Sequence, residues 1–181
     1  GFNEVLNNSL TKIGYYGKLT SYPENECVKI MNPLSSDLSV LRQTLLFGGL
    51  ENISRNTNHR NADLKLYEFG NCYQYLAGKK TDDQVLSAYN EDYHLGIWLT
   101  GNKYSDSWIN GSQKSSIYEL KAYVENILVR LGFDLQKLKT AEYSSDIFTE
   151  AMSINSPNKK LLCTFGIVSD AAKKTSDIEA E

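Results

Sequence analysis

The stretch "LKLYEFGNCYQYL", residues 64–76, places Leu64, Leu66 and, past Gly70, Cys72 at every second position. Strand side chains point to opposite faces in turn, so this spacing predicts a long strand buried on one face, kinked or bulged at Gly70. "EDYHLGIWLTG", residues 91–101, is the expected antiparallel partner, because the intervening "AGKKTDDQVLSAYN" is polar and loop-like. A ribbon of that length has to bury one of its faces, and the rest of the chain must supply the cover.

The clearest cover is a helix from about Ile117 to Leu131. Ser116 and Glu119 form an S-x-x-E capping box, Ile117, Leu120, Val124, Ile127, Leu128 and Leu131 recur at helical spacing, and Gly132 closes the run. A second helix is expected within "LRQTLLFGGLENISRN", residues 41–56. Gly48 and Gly49 would each cost roughly 1 kcal/mol relative to alanine in a helix interior, so the start is placed near Phe47, with "SVLRQTL" as an extended or turning lead-in. "EVLNNSL" and "CVKIMNP" read as further strands, the latter ended by Pro33, which drives Asn32 out of helical geometry. "LQKLKTAEY", "EAMSIN" and "KKLLCTFGIVS" read as strands late in the chain, separated by the turn "NSPNKK". The order of strands, helix, strands, helix, strands implies an α+β domain with a mainly antiparallel sheet, spanning residues 1–181 as one unit.

Composition removes several function classes. The chain has 181 residues, a net charge of −3 and no run of about 18 apolar residues, so neither a membrane span nor a broad basic footprint for nucleic acid is expected. Cys27, Cys72 and Cys163 are far apart and form no C-x-x-C pair, which suits reduced, buried thiols in cytosol and no metal site. His59 lies in a polar connector and His94 on a strand, and solvated or core histidines are expected at both. The carboxylate pairs Asp82-Asp83 and Glu91-Asp92 are expected in a hydrophilic loop and read as solvated surface charge rather than an acid/base or Mg²⁺ site. Arg55, His59, Arg60 and Lys65 form a local basic cluster near the end of the earlier helix. Helix-dipole placement explains it without a ligand, and RNA contact through Arg55, Arg60 and Lys65 is the alternative. Trp98 and Trp108, with Tyr67, Tyr73, Tyr75, Tyr89, Tyr93 and Tyr104, suit cross-strand and core packing better than a base-stacking platform.

The wording of the sequence adds to its periodicities. "GFNEV", "NPLSSDLSVLRQTLLFGGL", "LYEFGNCY", the strand end "LTG" and "IYELKAYVENILVRLGFD" follow one another as they do in the β subunit of bacterial phenylalanyl-tRNA synthetases, and the chain resembles the synthetase-like core of that family over nearly its whole length. The resemblance implies a class II aminoacyl-tRNA synthetase fold, an antiparallel sheet flanked by helices, with Gly1, Phe2, Asn3, Glu4 and Val5 opening the motif 1 strand at a partner interface. The interface helix of that motif is expected upstream of Gly1, so that the chain reads as an excised, truncated core.

Catalytic members of this class carry an arginine in a motif 2 pattern like G-x-x-(F/Y)-R-x-(E/D), which clamps the ATP α-phosphate. The matching run here is Gly70-Asn71-Cys72-Tyr73-Gln74-Tyr75-Leu76, with Gln74 in place of the arginine and Leu76 in place of the acid. A neutral amide cannot replace a bidentate, permanently charged guanidinium. Trp98 and Thr100 likewise stand where the catalytic relative has recognition groups, Leu45 and Leu46 offer only hydrocarbon, and the motif 3 arginine is not found. The implied function is therefore a non-catalytic core that binds no cofactor itself. It would pack against the catalytic α subunit in a cytoplasmic assembly of paired αβ units that uses ATP and Mg²⁺ to charge tRNA(Phe). Arg42, Gly48, Gly49, Glu68 and Gly70 are expected to serve structure, and self-association through exposed partner surface is open to the piece alone, whose oligomeric state the sequence does not fix. The competing expectations are a divergent but active adenylating domain and an RNA-binding module.

Overall fold

A computed structural model of the chain describes residues 1–79, 85–104, 108–109 and 111–175; the Asp82-Asp83 pair lies outside them. The expected ribbon forms as β4, Leu64–Tyr75, and β5, Tyr89–Thr100, paired antiparallel from Leu64↔Thr100 to Tyr75↔Tyr89. The register runs through Gly70 without a shift, so the expected bulge is absent. Gly70 is a glycine for another reason, namely that a Cβ there would collide with the Arg42 guanidinium.

On the far side of β4, β1, Asn3–Glu4, adds a short parallel edge, Asn3↔Leu66 and Glu4↔Tyr67. The strand expected over "EVLNNSL" is not continuous. The Asn7 backbone N–H donates to the Glu68 carboxylate at 3.2 Å instead of to a ladder, which releases the chain from the sheet until β2, Leu10–Thr11, pairs with β3, Val40–Leu41. "CVKIMNP" contributes only an isolated bridge, Lys29↔Val40, and Asn32 takes φ 61° before Pro33. The third ladder is the antiparallel β6, Lys139–Glu142, β7, Phe148–Asn155, and β8, Leu161–Val168. Its first segment is shorter than expected, because Asp134 caps a 3₁₀ turn at Leu135–Lys137 through a 3.1 Å bond from the Gln136 N–H.

The earlier helix, α1, spans Leu46–Asn58 and starts one residue before the expected Phe47. Its last turn closes with Arg60 at φ 62°, the Arg60 N–H on the Thr57 carbonyl and the Asn61 N–H on the Asn56 carbonyl. The later helix, α2, spans Ile117–Arg130. The Ser116 hydroxyl accepts from the Glu119 N–H at 3.3 Å, and Gly132 at φ 88° lets the Phe133 N–H reach the Leu128 carbonyl at 3.0 Å. A last short helix, α3, covers Asp170–Thr175.

Two cores result. Phe47, Leu50 and Ile53 of α1 bury with Leu64, Leu66 and Cys72 of β4, Trp98 of β5 and Tyr15 and Tyr16 of the N-terminal segment. Ile117, Leu120, Val124 and Leu128 of α2 close over Ile154 and Phe165 of β7 and β8, while Leu131, at the end of the expected stripe, stays exposed. Val168 packs from β8 onto the first core. The Asp146 carboxylate, in the β6–β7 connection, ties the same two regions together by accepting from the Thr20 N–H at 2.5 Å, the Thr20 hydroxyl at 3.0 Å and the Ser21 N–H at 3.3 Å.

Burial alone would push the Asp146 carboxyl up, but the hydrogen bonds from Ser21 and Thr20 outweigh it and hold it below the usual carboxylate range. A depressed folded-state pKa contributes stability that is present above the unfolded-state value and is lost as pH falls through the folded one. Asp146→Asn is therefore expected to lower the melting temperature at pH 7 and to differ progressively less from the parent as pH is taken below about 4. Parallel melting curves from pH 7 to pH 2 check this, and a gap that does not narrow would refute it.

Candidate functional site

The face of the β4–β5 ribbon turned toward α1 carries Leu66 opposite Trp98, Glu68 opposite Gly96, and Gly70 opposite His94. Two glycines in one such face leave room that large neighbouring side chains can fill. Arg42 enters over Gly70. Its backbone is held on both sides, with its own N–H on the Ser9 carbonyl at 2.9 Å and its carbonyl accepting from the Tyr73 N–H at 2.8 Å. The lead-in to α1 thus delivers the guanidinium to a set place on β4.

There, Arg42 Nη1 donates to Glu68 Oε1 at 2.6 Å and Nε donates to the Asn71 carbonyl at 2.9 Å. The two side chains are 8% and 1% exposed. Glu68 also accepts from the Asn7 side-chain amide at 2.6 Å, and the Asn7 carbonyl oxygen Oδ1 in turn accepts from Asn52 Nδ2 at 2.7 Å. Asn52 sits on α1, one turn after Gly48, whose carbonyl it also contacts at 3.1 Å. A Cβ at Gly48 would come within 3.0 Å of the Asn7 side chain. One buried charge pair therefore joins the N-terminal segment, the lead-in, α1 and β4. Both charges are compensated and their remaining hydrogen-bonding capacity is largely used, which is the condition under which a buried pair is tolerated.

The second filling is Trp98, 7% exposed. A Cβ at Gly49 of α1 would collide with the indole around Nε1 and Cζ2, and one at Gly96 with its benzo edge around Cη2. Gly49 in mid-helix thus carries its propensity cost in exchange for ring-to-backbone packing. Of these residues, Arg42, Gly48, Gly49, Glu68 and Gly70 were singled out from the sequence. Asn7, Asn52 and Gly96 were not. Gly96 had a readable signal, a glycine inside an otherwise apolar strand, whereas Asn7 and Asn52 had none.

Gln74 and Leu76, at the motif 2 positions, are both half-buried at the end of the ribbon where β4 connects to β5. Gln74 lies opposite Asn90, and the Leu76 N–H donates to the Ala88 carbonyl at 2.7 Å. Burial pushes the nearby Cys72 thiol up to about 11 against the opposing effect of Arg42, and raises Cys27 and Cys163 as well. At neutral pH none of the three is the thiolate a nucleophile requires. Among the described residues, no cluster of three or more His, Cys, Asp and Glu is placed to hold a metal ion, and no helix is long and apolar enough to cross a membrane.

The basic cluster does not form as a unit. Arg55, His59 and Arg60 are exposed at the end of α1, with the His59 Nδ1–H on the Arg55 carbonyl at 2.7 Å. Lys65 instead turns to α2, where it pairs with Glu119 at 2.8 Å and accepts no role in that patch, its Nζ also donating to Tyr123 Oη at 3.1 Å. A cleft of about 520 Å³ opens between α1 and the segment around residues 7–12, bordered by Lys12, Arg42, Phe47, Glu51 and Arg55. Glu91 and Asp92 lie on β5 rather than in a loop, and both are exposed, as is His94. Trp108 is 95% exposed and Tyr104 is also exposed, so these two do not pack as expected. Tyr67, Phe69, Tyr93 and Leu95 form an aromatic and apolar row on the outer face of the ribbon, with Phe69 and Tyr93 stacked at 6.1 Å. At the N-terminus, Phe2 meets Tyr123 edge-on at 4.9 Å and the Val5 N–H donates to the Tyr67 carbonyl at 2.9 Å, while Gly1, Asn3 and Glu4 are exposed.

This fold is that of class II aminoacyl-tRNA synthetases. Two solved structures of the pyrrolysyl-tRNA synthetase of Desulfitobacterium hafniense superpose on 99% of the chain and 57% of their own, with TM-scores of 0.63 and 0.64 at 16% and 13% identity. Within that class, the model of the phenylalanyl tRNA synthetase beta chain CLM domain matches residues 1–181, and the chain belongs to that family. Its similar relatives include the phenylalanine–tRNA ligase beta subunits of Bacteroides thetaiotaomicron and Bacteroides fragilis, at 54% and 53% identity over the whole chain, and that of Porphyromonas gingivalis, at 46% over 99% of it. The chain spans 22% of the length of each of these relatives.

If Gly70 is a glycine because of Arg42, the two positions must be coupled. Arg42→Ala is expected to cost about 3–5 kcal/mol, since it strands the Glu68 charge, and Gly70→Ala about 1–3 kcal/mol by overpacking. In the double variant the added methyl meets no guanidinium, so its cost should fall below the sum of the two by about 1 kcal/mol or more. Denaturant unfolding of the four chains measures this, and strict additivity would refute the coupling.

Proposed function

We propose that this domain is the non-catalytic core of a phenylalanine–tRNA ligase beta subunit. In this reading it packs against the catalytic alpha subunit, with residues 1–5 at the interface, and supports charging of tRNA(Phe) by a cytoplasmic assembly whose ATP and Mg²⁺ are handled by the partner. The carrying observation is the filled face of the β4–β5 ribbon. Arg42 and Glu68 neutralise one another over Gly70, and Trp98 occupies the space between Gly49 and Gly96.

Adenylate formation brings a substrate carboxylate onto the α-phosphate of ATP and develops negative charge there, which needs a fixed cation free to face the phosphate. Gln74 supplies no charge, Leu76 no acceptor, and Arg42 already has its carboxylate. Closing this face in hydrocarbon and one satisfied ion pair favours a rigid wall over a binding site. The exposed outer row of Phe69, Tyr93 and Leu95 gives an isolated piece apolar surface through which to self-associate.

Full-length subunit purified without its partner is expected to show no ATP–pyrophosphate exchange and no saturable ATP binding by calorimetry. The single change Gln74→Arg should leave both blank, because it restores a charge without reopening the face. Exchange at a normal level by the parent subunit would instead establish a divergent active domain.

A further inference from the structure

The Trp98 ring is held in an unusual way. Two backbones from different elements approach the indole, Gly49 of α1 around Cε2, Cζ2 and Nε1 and Gly96 of the same strand around Cη2. Either glycine would clash with the ring if it carried a single carbon more. The surroundings are a buried apolar cluster that includes Leu64, Leu66 and Ile53. Two backbone positions with no room for a Cβ against the ring, set in hydrocarbon around a side chain only 7% exposed, have the form of a small aromatic-binding pocket.

We propose that Trp98 is the built-in occupant of a closed aromatic-binding slot between α1 and β5, and that the slot accepts a free planar aromatic molecule of indole size once that side chain is removed. The walls belong to a mid-helix glycine and a strand glycine whose neighbours are packed around them, so the space persists when the ring is deleted. Apolar cavities of about 150 Å³ left by truncating a buried side chain stay dry and take up benzene-sized molecules. In the parent chain the slot is closed to any aromatic solute, because the local concentration of a covalently attached indole exceeds what a free one can reach. Trp98 as internal ligand extends the non-catalytic reading of the domain. Nucleotide exchange tests that reading and indole binding tests this one, so that either can fail alone.

The experiment compares full-length parent protein with Trp98→Gly and Trp98→Ala, titrating indole by calorimetry and soaking indole into crystals of the variants. Each variant is expected to gain one site that the parent lacks, with Kd on the order of 0.1 mM and ring density between residues 49 and 96. A variant too unstable to purify alone is expected to be recovered folded when expressed and purified in millimolar indole. Folded variants with no added site, equal binding by the parent, or failure of both variants to be recovered with indole would each overturn the proposal.

Discussion

Everything on the inner face of the β4–β5 ribbon is arranged around the contact between Arg42 and Glu68. Taking a guanidinium and a carboxylate out of water costs several kcal/mol per ion, and their attraction offsets this only when the remaining donors and acceptors are also satisfied. Here the carboxylate gathers the Asn7 backbone and side chain as well as Arg42, and Asn7 passes the connection to Asn52 on α1. The requirement to satisfy one buried pair thus dictates where the N-terminal segment leaves the sheet, where the lead-in strand stops and how α1 is set down on β4.

That arrangement leaves a particular mark on the glycines. Gly70 and Gly96 stand in the ribbon and Gly48 and Gly49 in α1, and three of the four face a large side chain, Arg42 or Trp98, that their missing Cβ admits. Glycine is unfavourable in both helix and strand interiors, so four in these places signal close approach rather than flexibility. In a fold whose relatives are tRNA synthetases, the consequence is a ribbon face that is occupied from within. Charge is present but spent on a neighbour, and the aromatic ring belongs to the chain itself.

Much of this was legible in the sequence. Period-two spacing in residues 64–76, the polar link that sets off 91–101 as its partner, and the capped, periodic run from Ser116 define their elements by local chemistry, and all three appear with boundaries within a residue or two. The glycine pair at 48–49 and the resemblance in motif 2 pointed to a structural Arg42 and to missing catalytic groups. What escaped was settled by distant contacts. A glycine in a strand suits a kink or bulge and a close approach equally, and only the third dimension puts Arg42 above Gly70. "EVLNNSL" has strand-like residues, yet Asn7 hydrogen-bonds a carboxylate 61 positions away. Lys65 looked like part of a basic patch with Arg60, but strand alternation turned it to Glu119 on α2, 54 positions on.

The most direct test of an internally filled synthetase fold is a crystal structure of the full-length subunit, apart from its partner, grown with ATP, Mg²⁺ and phenylalanine at concentrations that saturate active synthetases. The expected result is a β4–β5 face free of nucleotide and amino acid, with Arg42 on Glu68 and the Trp98 ring between Gly49 and Gly96 as they stand without ligand. Nucleotide or amino acid bound on that face, with Arg42 or Trp98 displaced to admit it, would contradict it.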